Sequence, residues 1–177
     1  MAQEIPIEIR GATEKELYSI VVLTKKYFPY AGFNFAEIRK RLHEKGVVYF
    51  VAKAGGSTAG YLDFKVNRWS IKILGIAVLE EFRRRGIAKK MLKKTVAWAK
   101  SHSKKKVYLF VDAENLPAQK LYASEGFSSK GRLGRLIAGK SVLLLYKDLQ
   151  ANPAKKPRQK KALPAIARSL EPRRDIL

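Results

Sequence analysis

The chain contains no cysteine among its 177 residues. That excludes disulfides, thiolate metal centres and cysteine nucleophiles. Histidine is almost as scarce: His43 and His102 are the only two. They fall in separate polar helical stretches, so no imidazole-based metal site is expected. No apolar run approaches the roughly 20 residues needed to span a bilayer, and the opening Met-Ala-Gln-Glu-Ile-Pro lacks the apolar core of a signal peptide. A cytoplasmic protein with no membrane partner is expected. Acidic residues are also few, 15 against 37 Lys+Arg, which gives a formal net charge of +22. A field of that sign concentrates polyanions but says nothing about fold.

What is present is a core. With 46% hydrophobic residues the chain supports one domain. Its limits are expected at residues 1–149, followed by a flexible basic tail over 150–177. In that tail Pro153, Pro157 and Pro164 oppose helix, and no apolar face repeats. Residues 151–177 hold eight Lys/Arg and two acids, so most of the charge excess lies in the globular part. Ala165–Leu170 could form one or two helical turns on a partner.

Periodicity predicts the elements. Ile5–Arg10 alternates as a strand. Thr13 and Glu16 have capping-box spacing, opening a helix over Glu14–Tyr27. Asn34 caps a second over Phe35–Lys45, with Gly46 behind it. Val47–Lys53 and Thr58–Val66 form a hairpin about Ala54-Gly-Gly-Ser57, and Ile71–Leu79 is the next strand. A helix over Gly86–His102 buries Met91, Leu92, Thr95, Trp98 and Ala99. Val107–Val111 is apolar throughout, which predicts a strand buried on both faces. A helix begins at Asn115 and ends at Gly126, and two strands follow, Phe127–Ser129 and Ser141–Tyr146. The order is β-α-α-β-β-β-α-β-α-β-β.

Two segments carry chemistry. Arg83-Arg-Arg-Gly-Ile-Ala88 joins a strand to a helix. At such a helix start, successive backbone N–H groups and the helix dipole favour an anion. Gly86 lets the chain approach a bound oxygen. About thirty residues on, Asn115-Leu-Pro-Ala-Gln-Lys-Leu-Tyr-Ala-Ser-Glu-Gly-Phe127 has the spacing N-x-x-A-x-x-L-Y-x-x-x-G-F.

Together these motifs resemble the GCN5-related N-acetyltransferase (GNAT) family, and within it protein acetyltransferases of the ribosomal-protein type. The resemblance covers roughly residues 5–147. It implies an α/β (α+β) domain, a mixed and mostly antiparallel twisted sheet of about seven strands flanked by about four helices. It also implies an acetyl-CoA-dependent transfer to a primary amine by direct attack, most simply a protein lysine or N-terminal amine. The pantetheine arm would pair along Ile76, Ala77 and Val78, with a backbone N–H near Val78 facing the thioester oxygen. The pyrophosphate would sit on N–H groups of Arg84–Lys89, through Gly86, Ile87 and Ala88, with Arg83, Arg84, Arg85, Lys89 and Lys90 adding charge. Asn115 would contact the cofactor as well as cap its helix, and Tyr122 aligns with the family's thiolate acid.

The base departs from the pattern. Family glutamate positions fall at Lys72 and Phe110, so neither carboxylate is present. Asp63, Glu80, Glu81 and Asp112 remain. Asp63 shares a strand face with Tyr61 and Lys65, which predicts a surface cross-strand pair. Glu80 and Glu81 read as solvated loop residues, and Asp112 as a turn former. The positive field disfavours lysine-rich acceptors and polyamines. It favours acidic N-termini, or amines presented on a ribosome, chromatin or aminoacyl-tRNA. A second account is a GNAT-like module that binds nucleic acid through its basic surface and tail with little catalysis. Either a monomer or a homodimer is compatible with the chain.

Overall fold

The computed structural model describes residues 5–150; the basic tail and its expected helical turn lie outside them. Seven strands and four α-helices follow in the expected order: β1 (Ile7–Gly11), α1 (Leu17–Tyr27), α2 (Phe35–Leu42), β2 (Val47–Ala54), β3 (Ser57–Val66), β4 (Ser70–Val78), α3 (Ile87–Ser101), β5 (Lys106–Asp112), α4 (Leu116–Ser124), β6 (Ser128–Arg132) and β7 (Val142–Asp148). They build one sheet in the order β1-β2-β3-β4-β5-β7-β6. Every pairing is antiparallel except β4 with β5. A parallel pair needs a crossover, and α3 supplies it.

Local signals explain the element ends. Thr13 and Glu16 close a capping box, but the first turn is a short 3₁₀ segment over Glu14–Glu16 that leads into α1. Asn34 and Glu37 form a second box at α2. Gly55 and Gly56 both take positive φ, 54° and 83°, in the two-residue β2–β3 turn, the backbone that a tight hairpin requires.

The strands alternate, so each face buries its own set of side chains. One face packs Leu62, Phe64, Ile73, Val107 and Leu109 beneath Met91 and Leu92 of α3. The other packs Tyr49, Val51 and Tyr61 beneath Leu17, Ile20 and Leu23 of α1 and Ile38 of α2. Helices α1 and α2 cover only the β1–β4 half of that second face. β5 is therefore not buried on both sides as its composition predicts. Val107, Leu109 and Val111 are buried, whereas Tyr108 and Phe110 are partly exposed. Trp98 is likewise only half-buried, stacked on His102 at 3.8 Å between ring centroids.

Candidate active site

Strands β4 and β5 pair over three residues only, Ser70–Lys72 against Lys106–Tyr108. Beyond that point β4 stays with β3, β5 stays with β7, and the two part. A bulge opposite Asp63 and Phe64 places Leu74 out of register and reverses the side-chain alternation of β4. Ile76 and Val78 consequently pack towards the α3 core, and Ala77 towards α1. The parting leaves the backbone of Ile73–Ile76 facing a cavity of about 390 Å³. Its walls include Leu109–Asp112 of β5, the α4 cap Asn115, Ala118 and Tyr122 of α4, Tyr27 at the end of α1, and Phe28 and Tyr30 of the connection to α2. Ile137 and Lys140, between β6 and β7, close the rim.

The arginine loop follows β4. Gly86 caps α3 with φ +72°, and no side chain occupies the cap. The N–H of Lys90 is the first to bond within the helix, to the carbonyl of Gly86 at 2.9 Å. The preceding N–H groups of the first turn therefore have no intrahelical partner. Open space surrounds the position a Gly86 Cβ would take. This row of unpaired donors at a positive helix end fits a pyrophosphate. Arg84 also takes positive φ, 63°, which keeps the turn compact.

The basic side chains expected around that cradle divide. Arg83 turns back, donating from Nε to the carbonyl of Val78 at 3.2 Å, with its guanidinium over the Tyr27 ring. Lys89 reaches Glu125 at 3.3 Å. Arg84, Arg85 and Lys90 are exposed beside the loop.

Tyr122 is buried on α4, its ring edge-on to Phe127 at 5.6 Å. No hydrogen bond ties its hydroxyl to a described residue, and burial pushes the phenol above its ordinary pKa. It keeps its proton at neutral pH. Asn115 accepts from the N–H of Ala118 at 3.1 Å and caps α4, so its cavity position is held by the helix start.

The carboxylates occupy other roles. Asp63 is not on the surface: it is 4% exposed and accepts from Arg41 Nη2 at 2.8 Å. Burial pushes its carboxyl up to about 6, against the charge of Arg41 and a Tyr49 hydrogen bond. Strand alternation predicts the Tyr61–Asp63–Lys65 face correctly; what encloses Asp63 is Arg41 of α2, Tyr49 and Gly75 on the neighbouring strands, and the α1–α2 connection at Phe28 and Phe33. Glu80 pairs with Lys26 at 3.2 Å. Asp112 accepts from the N–H of Glu114 and from Lys140, at 2.9 and 2.7 Å. At the two positions where the family resemblance places glutamates, Lys72 lies over the Phe110 ring at 4.8 Å.

A family model, Acetyltransferase (GNAT) family, matches residues 15–127. The chain belongs to this family. It is similar to an N-alpha-acetyltransferase of Saccharolobus solfataricus, 28% identical over 158 residues, covering 80% of this chain and 92% of the relative. The fold is that of Arabidopsis thaliana NAA60 in complex with acetyl-CoA, at TM-score 0.72 and 22% identity over 82% of this chain and 100% of that one. The ribosomal-protein-S18-alanine N-acetyltransferase of Escherichia coli superposes with TM-score 0.71 at 16% identity, over 85% and 99% of the two chains. The family assignment makes this GNAT protein an acetyl-CoA-dependent N-acetyltransferase of amines. Sequence motifs missed three parts of its cavity: the Tyr27-Phe28-Pro29-Tyr30 run, the Ile137–Lys140 rim and the β4 bulge. The aromatic run was the one available signal.

Proposed function

We propose that this GNAT protein acetylates the N-terminal α-amine of proteins, with a lysine side chain as the lesser acceptor. The observation that supports it most is the parting of β4 and β5. One cavity then borders both the free backbone of Ile73–Ile76 and Tyr122, and β4 runs on from it into the loop that starts α3. Acetyl-CoA, when bound, supplies an acyl group activated as a thioester. The backbone of Ile76, Ala77 and Val78 would hold its amide arm, and the N–H groups from Arg84 to Lys89, together with Gly86, Ile87 and Ala88, its pyrophosphate. Arg85 and Lys90 add charge there, and Asn115 borders the same cavity. Tyr122 carries the catalytic proton on its hydroxyl, for the departing sulfur.

The acceptor follows from the rim. Lys140 is balanced there by Asp112 at 2.7 Å, but Lys72 lines the cavity with no carboxylate partner among the described residues, and its charge repels an approaching lysine-rich peptide or polyamine. A single α-amine followed by acidic or neutral residues meets less repulsion. The S. solfataricus relative carries the name N-alpha-acetyltransferase, which agrees with this choice.

The test is calorimetric titration with acetyl-CoA, followed by mass spectrometry of peptide acetylation. Micromolar cofactor binding and acetylation of free N-termini, with blocked peptides bearing internal lysines much slower, is the expected result. Faster reaction of the blocked peptides would overturn the choice of amine.

A second reading accompanies it because the domain itself is basic. Nucleic acid, or a ribosome, is a partner of the surface and tail, bringing acceptors to the site. The domain boundary near residue 149 and a cytoplasmic setting belong to the same proposal. Proteolysis of the full chain and cell fractionation check them.

A further inference from the structure

The half of the sheet that α1 and α2 leave bare is not an ordinary polar surface. On it, Tyr108 of β5 lies directly opposite Tyr146 of β7, and Phe110 opposite Leu144. Trp69, just before β4, is 53% exposed at one end. These side chains line a groove of about 620 Å³. Among the described residues no helix covers it.

Cations sit on the rings. Arg68 and Lys105 lie over Trp69 at 4.9 and 4.8 Å. Lys130 lies over Tyr146 at 4.8 Å, and Lys106 is a further wall residue. One acid, Asp148, stands at the rim. This pattern argues against a second copy of the chain, which would present the same positive face. It also argues against the chain's own basic tail. A dry protein interface would have to strip water from these four cations without partners for them, which costs several kcal/mol per ion. A phosphodiester chain supplies those partners, and every base has a flat face for a ring.

We propose that this groove is a stacking platform for single-stranded RNA. Trp69, Tyr108 and Tyr146 take bases, and Lys105, Lys106 and Lys130 take phosphates. Sheet faces that carry aromatic residues recognise unpaired bases in this way. The platform also leads somewhere: Phe110 borders both the groove and the acetyl-transfer cavity. RNA on the platform therefore lies against a wall of the acetyl-transfer cavity.

The inference rests on the nucleic-acid part of the proposed function, and the experiment separates the two. The full-length, nuclease-treated protein is titrated into a fluorescein-labelled twelve-nucleotide single-stranded RNA over a range of salt concentrations. A matched RNA duplex and a poly-glutamate peptide serve as comparison probes. Wild type should prefer the single strand. Trp69→Ala and Tyr146→Ala should each weaken it by about ten- to a hundredfold, the loss of one stacked base. The double variant Lys105→Gln/Lys130→Gln should flatten the log–log salt slope by about 1.4. Acetyl-CoA affinity should stay constant in all of them, which also reports that they fold.

Binding by wild type with no change in any variant would remove the platform and leave the nucleic-acid reading standing. No binding by wild type at low salt would remove both. Equal affinity for duplex, or losses seen with poly-glutamate and not with RNA, would also overturn the proposal, the second by marking a dock for acidic peptides.

Discussion

Arg41 of α2 and Asp63 of β3 form a buried ion pair, Nη2 to Oδ2 at 2.8 Å, in which the aspartate carboxyl also touches the one β4 residue without a side chain. A Cβ on Gly75 would stand 3.0 Å from Asp63 Oδ1. Tyr49 completes the cluster from β2. The pair thus anchors α2 to the sheet at the β4 bulge, whose Leu74 and Gly75 line the cavity between β4 and β5.

Breaking such a pair from one side leaves an uncompensated buried charge. Arg41→Leu should therefore destabilise the domain by about 3 kcal/mol near pH 8, and by less near pH 5, where Asp63 can take up a proton. Asp63 binds its proton more tightly in the folded protein than in the unfolded chain, because its carboxyl is raised from 3.8 to about 6. Its contribution is fully present below about pH 4 and is lost as the pH rises through about 6. Urea denaturation of wild type and Asp63→Asn between pH 4 and 7 checks this. The wild-type advantage should shrink across that window, and parallel curves would exclude the titration.

Glu16 works in the opposite sense. Burial alone would raise its carboxyl, but bonds from Arg10 and Thr13 outweigh that and hold it at about 2. A lowered carboxyl contributes stability above 4.5 that is lost as the pH falls towards 2. Glu16→Gln keeps an acceptor for the capping box and should cost about 1–2 kcal/mol at pH 7 from the lost charge-assisted bond to Arg10. The deficit should vanish in acid. A deficit that persists unchanged at pH 2 would mean that packing, not charge, is what the substitution removes.

Much of this was legible in the chain before the fold was known. Residues in long periodic segments, such as Met91 and Leu92 on α3 or Val107 and Leu109 on β5, announce one buried face and fall where expected. The arginine loop was legible because Gly86 needs a backbone that few residues adopt. Asp63 was not, because its burial depends on Arg41 of α2 and the α1–α2 connection closing over a distant strand, and no local pattern records a tertiary cover. The same reason applies in reverse to Tyr108 and Phe110. An all-apolar strand predicts two covered faces, whereas the helices that would cover the second stop at β4. Lys89 and Arg83 show a third limit. A basic side chain beside a phosphate cradle can still choose a nearer partner, here Glu125 and the Val78 carbonyl.

Tyr122→Phe isolates the proton on the phenol. The ring keeps its packing on Phe127, so acetyl-CoA affinity should hold while kcat falls by about tenfold to a thousandfold. Steady-state kinetics with calorimetry decide it. An unchanged kcat would mean that sulfur departs without this acid.

Gly86→Glu tests the cradle. The substitution forces a side chain into a backbone of φ +72° and sets a negative charge at the helix start, where the dipole and the free N–H groups call for an anion. Acetyl-CoA binding should be lost. Gly86→Ala, which adds strain of about 1 kcal/mol without charge, should weaken binding far less. Equal losses in the two would point to backbone distortion and not to competition for the anion position.

Thr95 offers a gain. Its side chain is fully buried on α3, and its Oγ1 is sealed from solvent without a hydrogen-bond partner among the described residues. A hydroxyl left dry and unpaired costs about 1–3 kcal/mol, whereas replacing it by a methyl of the same shape removes that cost. Valine keeps the branching at Cβ and so the stiff rotamer that the helix already accommodates. Thr95→Val should therefore raise unfolding stability by about 1 kcal/mol, with activity unchanged because the residue does not border the cavity. Thermal and urea unfolding read it directly. A loss of stability would show that the hydroxyl is satisfied by a buried water, and the neighbours Met91 and Ala99 would then enclose a wet pocket and not a dry one.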